Sequence, residues 1–505
     1  MIELGTQPLS LLDVVAVARH GEGVSLSHEA RQRMAGSRAV VTAVLEAEHP
    51  VYGVNTGFGV LKDRRIPPEQ VRELQVNLLR SHQAGVGPLA PREVARAMLL
   101  LRAAALARGF SGCRAEIVTH LLALLERDVT PLVPEQGSVG ASGDLAPLAH
   151  LAAVLVGEGE AWLGDRRMPA AMALRGAGLQ PLTLEAKEGL ALINGTQFST
   201  AIAVLACVDA MRLWESAVAA ATLSVEVLLG SLQPAREEVQ ALRPYRGAVE
   251  TARRMRAYAE GSALVASHAE CGEVQDAYSL RCVPQVLGAS WDALNHVASQ
   301  LEIEVNSVND NPLVFGDSKE VISAGLFHAQ PVALAADYLK IAVAEIGSIG
   351  ERRIDRLTDG RVSRLPAALT EAAGLESGYM MAQYTAAALV SENKSLAHPA
   401  SVDSIPTGAG QEDHVSMAPI AARHARRVVD NVARVVALEL LCNCRALEFR
   451  RPLTAGMGSE WVYGAVRRIA PAPPGDRPLS ESCEAVAQWV TSAEPQRLAE
   501  EVLSP

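Results

Sequence analysis

Aromatic side chains are scarce in this chain: Phe, Tyr and Trp make up 4% of 505 residues, although 49% of the residues are hydrophobic. The core must therefore be built from aliphatic side chains and alanine. That composition suits closely packed helices, and its extent allows two or three structural regions. A basic excess is also missing. The formal net charge of −11 argues against a general nucleic-acid binder, because no surplus cations remain to displace counterions from phosphates. A small anionic or zwitterionic substrate would need a local cation instead. Cysteine pairs are absent too: Cys113, Cys207, Cys271, Cys282, Cys442, Cys444 and Cys483 form no C-x-x-C. Their odd number in a long chain fits reduced thiols in cytosol better than a disulfide framework. Cys442 and Cys444 lie in a helical pattern and fit core packing better than a zinc site. No apolar run closed by a small-residue cleavage site opens the chain, so no signal peptide is expected. The most apolar stretch, Ser199 to Gly230, carries Asp209, Arg212, Glu215 and Glu226. Each is costly at a bilayer centre, so the stretch reads as helix buried in protein.

What is present is helical periodicity. Val332, Ala335, Leu339, Ala342, Ile346 and Ile349 alternate spacings of three and four, with Pro331 in a first-turn position. Trp291, Leu294, Val297, Leu301 and Val305 form a second stripe, stopped by Asn309-Asp310-Asn311-Pro312. Val428, Val432 and Val435 mark a third, with Ser416 as a candidate N-cap. From about Ala186 to Gly230 the chain is apolar nearly all round, as expected of one helix at the centre of a bundle. The predicted class is all-α, a bundle of long helices over residues 201–450. Residues 1–200 form a loop-bearing N-terminal region with amphipathic helices such as Arg92 to Ala107, and residues 451–505 a helical and loop tail containing PAPPGDRP.

Two loops stand out in the N-terminal region, Tyr52 to Gly59 (YGVNTGFG) and Val133 to Gly143 (VPEQGSVGASG). Both are too rich in Gly, Asn, Ser and Pro for regular helix, and loops on rigid scaffolds are where chemistry concentrates. The run Gly137 to Asp144 lacks the Lys-Ser/Thr of a phosphate-binding loop. Its Ser and Asp could simply cap the helix that follows. A third reading uses Ala141-Ser142-Gly143 as small residues. The Gly143 amide nitrogen can approach the Ala141 carbonyl carbon and close a five-membered ring. Loss of water from the ring and from the Ser142 hydroxyl leaves a methylidene conjugated to carbonyls, an electrophile that needs no metal or vitamin.

GSVGASGDLAPLAH resembles the signature of the aromatic amino acid ammonia-lyase and aminomutase family, whose members make a methylidene-imidazolone from Ala-Ser-Gly. The blocks YGVNTGFG, LLRSHQAGVG, LALINGTQ, VQDAYSLRCVPQ, NSVNDNPLVF, ENKSLAHPASVDSIPT and QEDHVSMAP match family blocks in the same order. The resemblance covers almost the whole chain. It implies an all-α homotetramer with active sites shared between subunits, a 4-methylidene-imidazol-5-one formed autocatalytically from Ala141, Ser142 and Gly143, and no external cofactor. Neither nucleic acid nor a membrane is an expected partner; a small amino acid is.

The implied chemistry is covalent and general-base catalysis combined: an amine joined to an electrophile leaves more easily while a base removes the β-proton. Tyr52 could be an ordinary aromatic anchor of its loop, but the resemblance assigns it the base. That role calls for cations or hydrogen bonds that lower its pKa. The resemblance makes Arg281 the clamp for the substrate carboxylate, a geometry guanidinium suits. Asn194, Gln275 and Tyr278 match hydrogen-bonding positions around electrophile and substrate, and Phe327 a pocket aromatic. Each could otherwise be a satisfied core group. His82 and Glu412 resemble the family's histidine-specific branch, as does Gln197. They suit an imidazole, whereas a phenyl pocket would waste a buried carboxylate. The implied reaction is elimination of ammonia from L-histidine to give trans-urocanate in the cytoplasm. Ala277, Val283, Ala324, Leu326, Gly408 and Gly410 depart from that branch's usual residues. A lyase or 2,3-aminomutase acting on tyrosine or phenylalanine uses the same electrophile and is the alternative.

Overall fold

The computed structural model describes residues 1–46, 50–269, 272, 274–472 and 475–503. Cys271, and Pro473 and Pro474 of PAPPGDRP, lie outside these. Twenty-one α-helices and nine strands of three or four residues are found among the described residues. The chain is all-α in character, as its periodicity predicts. The strands pair into four small sheets of two or three strands. No helix among the described residues is long and apolar enough to cross a membrane.

Two compact units are each assembled from three separated stretches. The first comprises Met1–Leu205, Ala298–Asp337 and Pro399–Arg423, and the second Ala206–Val297, Tyr338–His398 and His424–Pro505. The long stripes all become helices: Val283–Val305, Gln330–Thr358 and Ala418–Arg450. Val332, Ala335, Leu339, Ala342 and Ile346 are buried along one seam, and Val428, Val432 and Val435 along another, which is what three-four spacing produces. Ser416 Oγ accepts at 3.3 Å from the N–H of Ala418, the first residue of the helix Ala418–Arg450.

In the second unit the buried Arg353 guanidinium donates to Glu439 at 2.6 and 2.9 Å, and Ser224 Oγ donates to the same carboxylate at 2.8 Å. This pair meets most of its hydrogen-bonding capacity inside an aliphatic core, the condition under which buried charge is tolerated.

In the first unit, helix Arg92–Ala107 is buried over nearly its whole circumference and runs beside Ala115–Glu126. The short strands Val86–Leu89 and Pro134–Gln136 pair antiparallel. They tie the chain just after His82 to the chain just before Gly137. One expectation fails here. The apolar stretch from 186 to 230 is not a single helix but two, Glu188–Ile193 and Gln197–Val227. The break at Asn194-Gly195-Thr196 has a physical cause: its backbone is committed to another loop, and Asp144 caps the helix that resumes.

Candidate active site

The 137–144 loop is held from two sides. On one side Met417 N–H donates to Val139 O at 2.9 Å, and Ser416 Oγ donates to Gly140 O at 3.2 Å. On the other, Gly143 and Gly195 form a parallel β-bridge, and Asp144 N–H donates to Gly195 O at 2.6 Å. Gly143 has φ +70°, and a Cβ there would lie 2.2 Å from Gly195 O. Only glycine meets both conditions. Ala141 is buried against Val415 and Met417. The loop thus presents a side-chain-free Gly143 nitrogen after a small, enclosed Ala141, which fits the backbone ring expected at these three residues.

Asp144 does not cap the helix Leu145–Leu155 that it precedes; its side chain makes no bond there. Its carboxylate accepts instead from Ser199 N–H at 2.8 Å and Ser199 Oγ at 2.9 Å, capping the helix that resumes after the break. Ser138 Oγ donates to it at 3.3 Å. Full burial pushes the Asp144 carboxyl up to about 6 despite these donors. The simple cap reading of this motif is therefore replaced by a clamp between two chain segments.

Glu412 is the centre of the arrangement. Ser142 Oγ donates to its Oε1 at 3.3 Å, and Thr407 Oγ1 donates to its Oε2 at 2.7 Å. Thr407 and Glu412 also pair across a tight antiparallel bridge, so both carboxylate oxygens are directed. The Glu412 charge reaches two further groups and raises the pKa of each, the Tyr52 phenol and the His82 imidazole. Tyr52 sits in the turn held by Asn55 Oδ1, which accepts from Val51 N–H at 2.7 Å. Its ring meets Phe58 edge-on at 6.5 Å, and its hydroxyl accepts from Gly59 N–H at 3.5 Å. Burial raises the phenol first, Gly59 lowers it, and Glu412 raises it again. The expected lowering is not found, because a buried phenol beside a carboxylate resists ionisation.

His82 ends the helix Val71–His82. Its Nδ1 lies 2.9 Å from Leu78 O, so Nδ1 carries the proton and Nε2 is the acceptor of the neutral ring. Burial lowers its pKa more than Glu412 raises it. Asn194 closes the helix before the break; its carbonyl is bonded, but its Oδ1 is buried without a partner among the described residues. Phe327 is half-buried in the turn 325–328, whose His328 ring lies 5.6 Å from His414.

Gln275, Tyr278 and Arg281 belong to the second unit. Gln275 is exposed, and Tyr278 is 71% exposed with the Arg281 guanidinium 4.8 Å from its ring centroid. Arg281 Nε is buried without a hydrogen-bond partner among the described residues.

Residues 9–468 match the family described as aromatic amino acid lyase. The chain belongs to the aromatic amino acid lyase family. It is similar to the histidine ammonia-lyase of Gloeobacter violaceus, 54% identical over 481 residues that cover 95% of this chain and 94% of that one. Among solved structures it resembles the histidine ammonia-lyase of Trypanosoma cruzi, with a TM-score of 0.92 and 42% identity over 99% of this chain and 95% of that one. The tyrosine aminomutase of Streptomyces globisporus is comparably similar in fold, with a TM-score of 0.93 but 37% identity, over 99% and 98% of the two chains.

For an aromatic amino acid lyase, the side chains that position the site are as informative as those that face it. Sequence alone assigns no site role to Arg102, Thr407, Ser199 or Asn309. Arg102 had a signal, a lone cation inside LLLRAAALA. Thr407 and Ser199 had none, since hydroxyls are common in loops and at helix starts.

Proposed function

We propose that this chain is a histidine ammonia-lyase that converts L-histidine to trans-urocanate and ammonia, using an electrophile built from Ala141, Ser142 and Gly143. One observation carries the reading. Glu412 stands against the Ser142 hydroxyl while its charge acts on both Tyr52 and His82. A candidate base, a candidate ring-binding pair and the electrophile-forming serine are thereby gathered around one carboxylate. When formed, the methylidene-imidazolone supplies an electrophile for the substrate amine, which makes nitrogen easier to expel.

The chain's own groups account for the remaining work. His82 Nε2 and Glu412 are both acceptors, and two acceptors suit an imidazolium, which has two N–H donors. A cation held there offsets the Glu412 charge that raises Tyr52, so the phenolate, the form that can take a proton, is favoured once histidine is bound. Positive charge on the imidazole also acidifies the neighbouring β-proton that Tyr52 would take. Asn194 Oδ1, buried and unmet among the described residues, offers an acceptor to the substrate. Gln275 and Tyr278 are assigned hydrogen bonds to it, and Phe327 a wall of the pocket.

Arg281 is assigned the substrate carboxylate. Arg281→Lys keeps the charge but loses the planar two-point clamp. KM for histidine should rise about tenfold, roughly 1.5 kcal/mol, with a smaller change in kcat. Imidazole-bearing amines that lack a carboxylate, if processed as well as histidine, would remove Arg281 from this role.

The same reading makes the protein a homotetramer with shared sites. Leu334, Tyr338 and Ile341 are exposed along one stripe of the helix Gln330–Thr358, and Met381 and Tyr384 on the helix Met380–Leu396. Apolar stripes of this kind call for a partner surface. Light scattering should return four chains per particle, and a fully active monomer would refute both the assembly and the shared sites. Four buried cysteines that form no disulfide among the described residues, Cys113, Cys442, Cys444 and Cys483, support placing it in the reducing cytoplasm.

Incubation with L-histidine tests the reaction itself. Urocanate absorbance in the near ultraviolet should rise with one ammonia released per urocanate. A β-amino acid product without free ammonia would make the chain an aminomutase, the second reading favoured by its likeness to tyrosine aminomutase.

A further inference from the structure

Arg102 lies fully buried in the helix Arg92–Ala107. Its Nη1 donates to Asn194 O and to Gln197 Oε1, each at 3.0 Å, and approaches Asn309 Oδ1 at 3.4 Å. Nε and Nη2 are buried and have no hydrogen-bond partner among the described residues. No carboxylate is hydrogen-bonded to this guanidinium among the described residues. The neighbouring buried charges are matched elsewhere: Lys187 Nζ is 2.7 Å from Asp310 Oδ2, and Arg114 Nη2 is 2.7 Å from Glu188 Oε2. Arginine does not give up its proton. A positive charge therefore stands out of water here, met by neutral oxygens at Nη1 and helped through space by Asp310. Such a charge is expensive for the fold, and a perturbed buried charge beside a reactive site is a functional signal.

Its location gives it a use. A Cβ on Gly195 would lie 2.2 Å from Arg102 Nη1, and a Cβ on Gly143 would lie 2.2 Å from Gly195 O. One glycine separates the guanidinium from the electrophile-forming backbone. The carbonyl that Arg102 holds belongs to the Asn194–Gly195 peptide, and Gly195 is the residue on which Gly143 and Asp144 dock. Gln197 Nε2 donates to Asn309 Oδ1 at 2.8 Å, and Asn309 Nδ2 donates to Thr196 Oγ1 at 2.9 Å. The helix break is thus fastened around the cation.

We infer that Arg102 is a positioning residue for the electrophile: it fixes the Asn194–Gly195 peptide against Gly143, and its charge favours ring closure at residues 141–143 and an electron-poor ring afterwards. This rests on the reading of Ala141-Ser142-Gly143 as ring-forming. Negative charge that develops on loop carbonyls as the Gly143 nitrogen attacks is stabilised by a desolvated cation nearby. Gln197→Glu keeps the shape and places a carboxylate on Nη1, at the cost of the Gln197 Nε2 hydrogen bond to Asn309 Oδ1.

The test measures the mass deficit of two waters, the melting temperature, and kcat and KM for histidine in Arg102→Gln, Arg102→Lys and Gln197→Glu. Arg102→Gln should close the ring in a minority of chains. Its kcat per closed ring should fall about tenfold to 10²-fold, less than for direct loss of an oxyanion donor, with KM within about threefold. Arg102→Lys should recover most of the ring yield. Gln197→Glu should still fold, with a melting temperature lowered by the lost bond to Asn309, and lose about tenfold in kcat. Complete ring and parental kcat in Arg102→Gln, or equal impairment in the Gln and Lys variants, would overturn the inference. If Arg102→Gln does not fold, parental ring yield and kcat in both other variants overturn it. A parent protein without the mass deficit would instead remove the ring reading itself.

Discussion

Ser142→Ala should yield a folded, assembled protein whose histidine turnover is lower by on the order of 10³-fold or more, the scale seen when a participating nucleophilic or electrophilic group is removed. The reason is chemical. The methylidene carbon comes from the Ser142 side chain, and alanine has no hydroxyl to lose as water. The structural cost is small, because in the uncyclised chain Ser142 Oγ makes a single 3.3 Å hydrogen bond to Glu412, worth about 0.5–1.5 kcal/mol, and ring formation removes that hydroxyl in any case. Thr407 still holds the other carboxylate oxygen at 2.7 Å, so Glu412 keeps its direction. Mass spectrometry and steady-state kinetics on the same preparation read both consequences. Turnover within about tenfold of the parent would contradict a serine-derived electrophile.

The second large effect is expected at Tyr52. Tyr52→Phe keeps the ring against Phe58 and loses only the hydroxyl, which accepts a long 3.5 Å bond from Gly59. Folding and the mass deficit at residues 141–143 should be unaffected, while kcat drops about 10²- to 10⁴-fold, the usual range for a general base. Burial and Glu412 both raise the free phenol's pKa, so ionisation to the phenolate must be promoted by the bound substrate. Substitution of Glu412 by Gln should then partly separate the two contributions. It removes the charge that opposes phenolate, but also the partner of the imidazolium, and kcat should still fall. An unchanged kcat in Tyr52→Phe with the ring intact would move the base elsewhere, with Tyr278 or Glu412 next in line.

The long helices were legible because burial writes itself into spacing. Val332 to Ile346 repeats every three or four residues, and those positions are buried in Gln330–Thr358. Asn309-Asp310-Asn311-Pro312 stops the preceding helix at Val305 for the reason turn residues always do. The break at 194–196 was not legible from periodicity, since its flanks are apolar on every face and its cause lies fifty residues away at Gly143 and Asp144. The two units were equally hidden, because each is assembled from three stretches that alternate along the chain with those of the other. Within the site, the electrophile-forming run was readable from three small residues and the blocks around them. The direction of the Tyr52 shift was not. It depends on burial and on a carboxylate 360 positions further along the chain, and neither has a local sequence signature. Arg102 was visible as an oddity in an apolar helix, but its meaning required Gly195 to be seen packed against it.

Substrate preference, measured as kcat/KM for L-histidine, L-tyrosine and L-phenylalanine with the unmodified protein, tests the proposed activity most directly. A site that faces the substrate ring with His82 Nε2 and Glu412 Oε1 leaves both atoms unpaired when a phenyl ring enters, although Thr407 still holds Oε2. Discrimination against phenylalanine should reach about 10⁴-fold, as it does where buried polar groups lose their partner. Histidine preferred by that margin, with urocanate as product, is the predicted result. Equal or higher values for tyrosine or phenylalanine would contradict it.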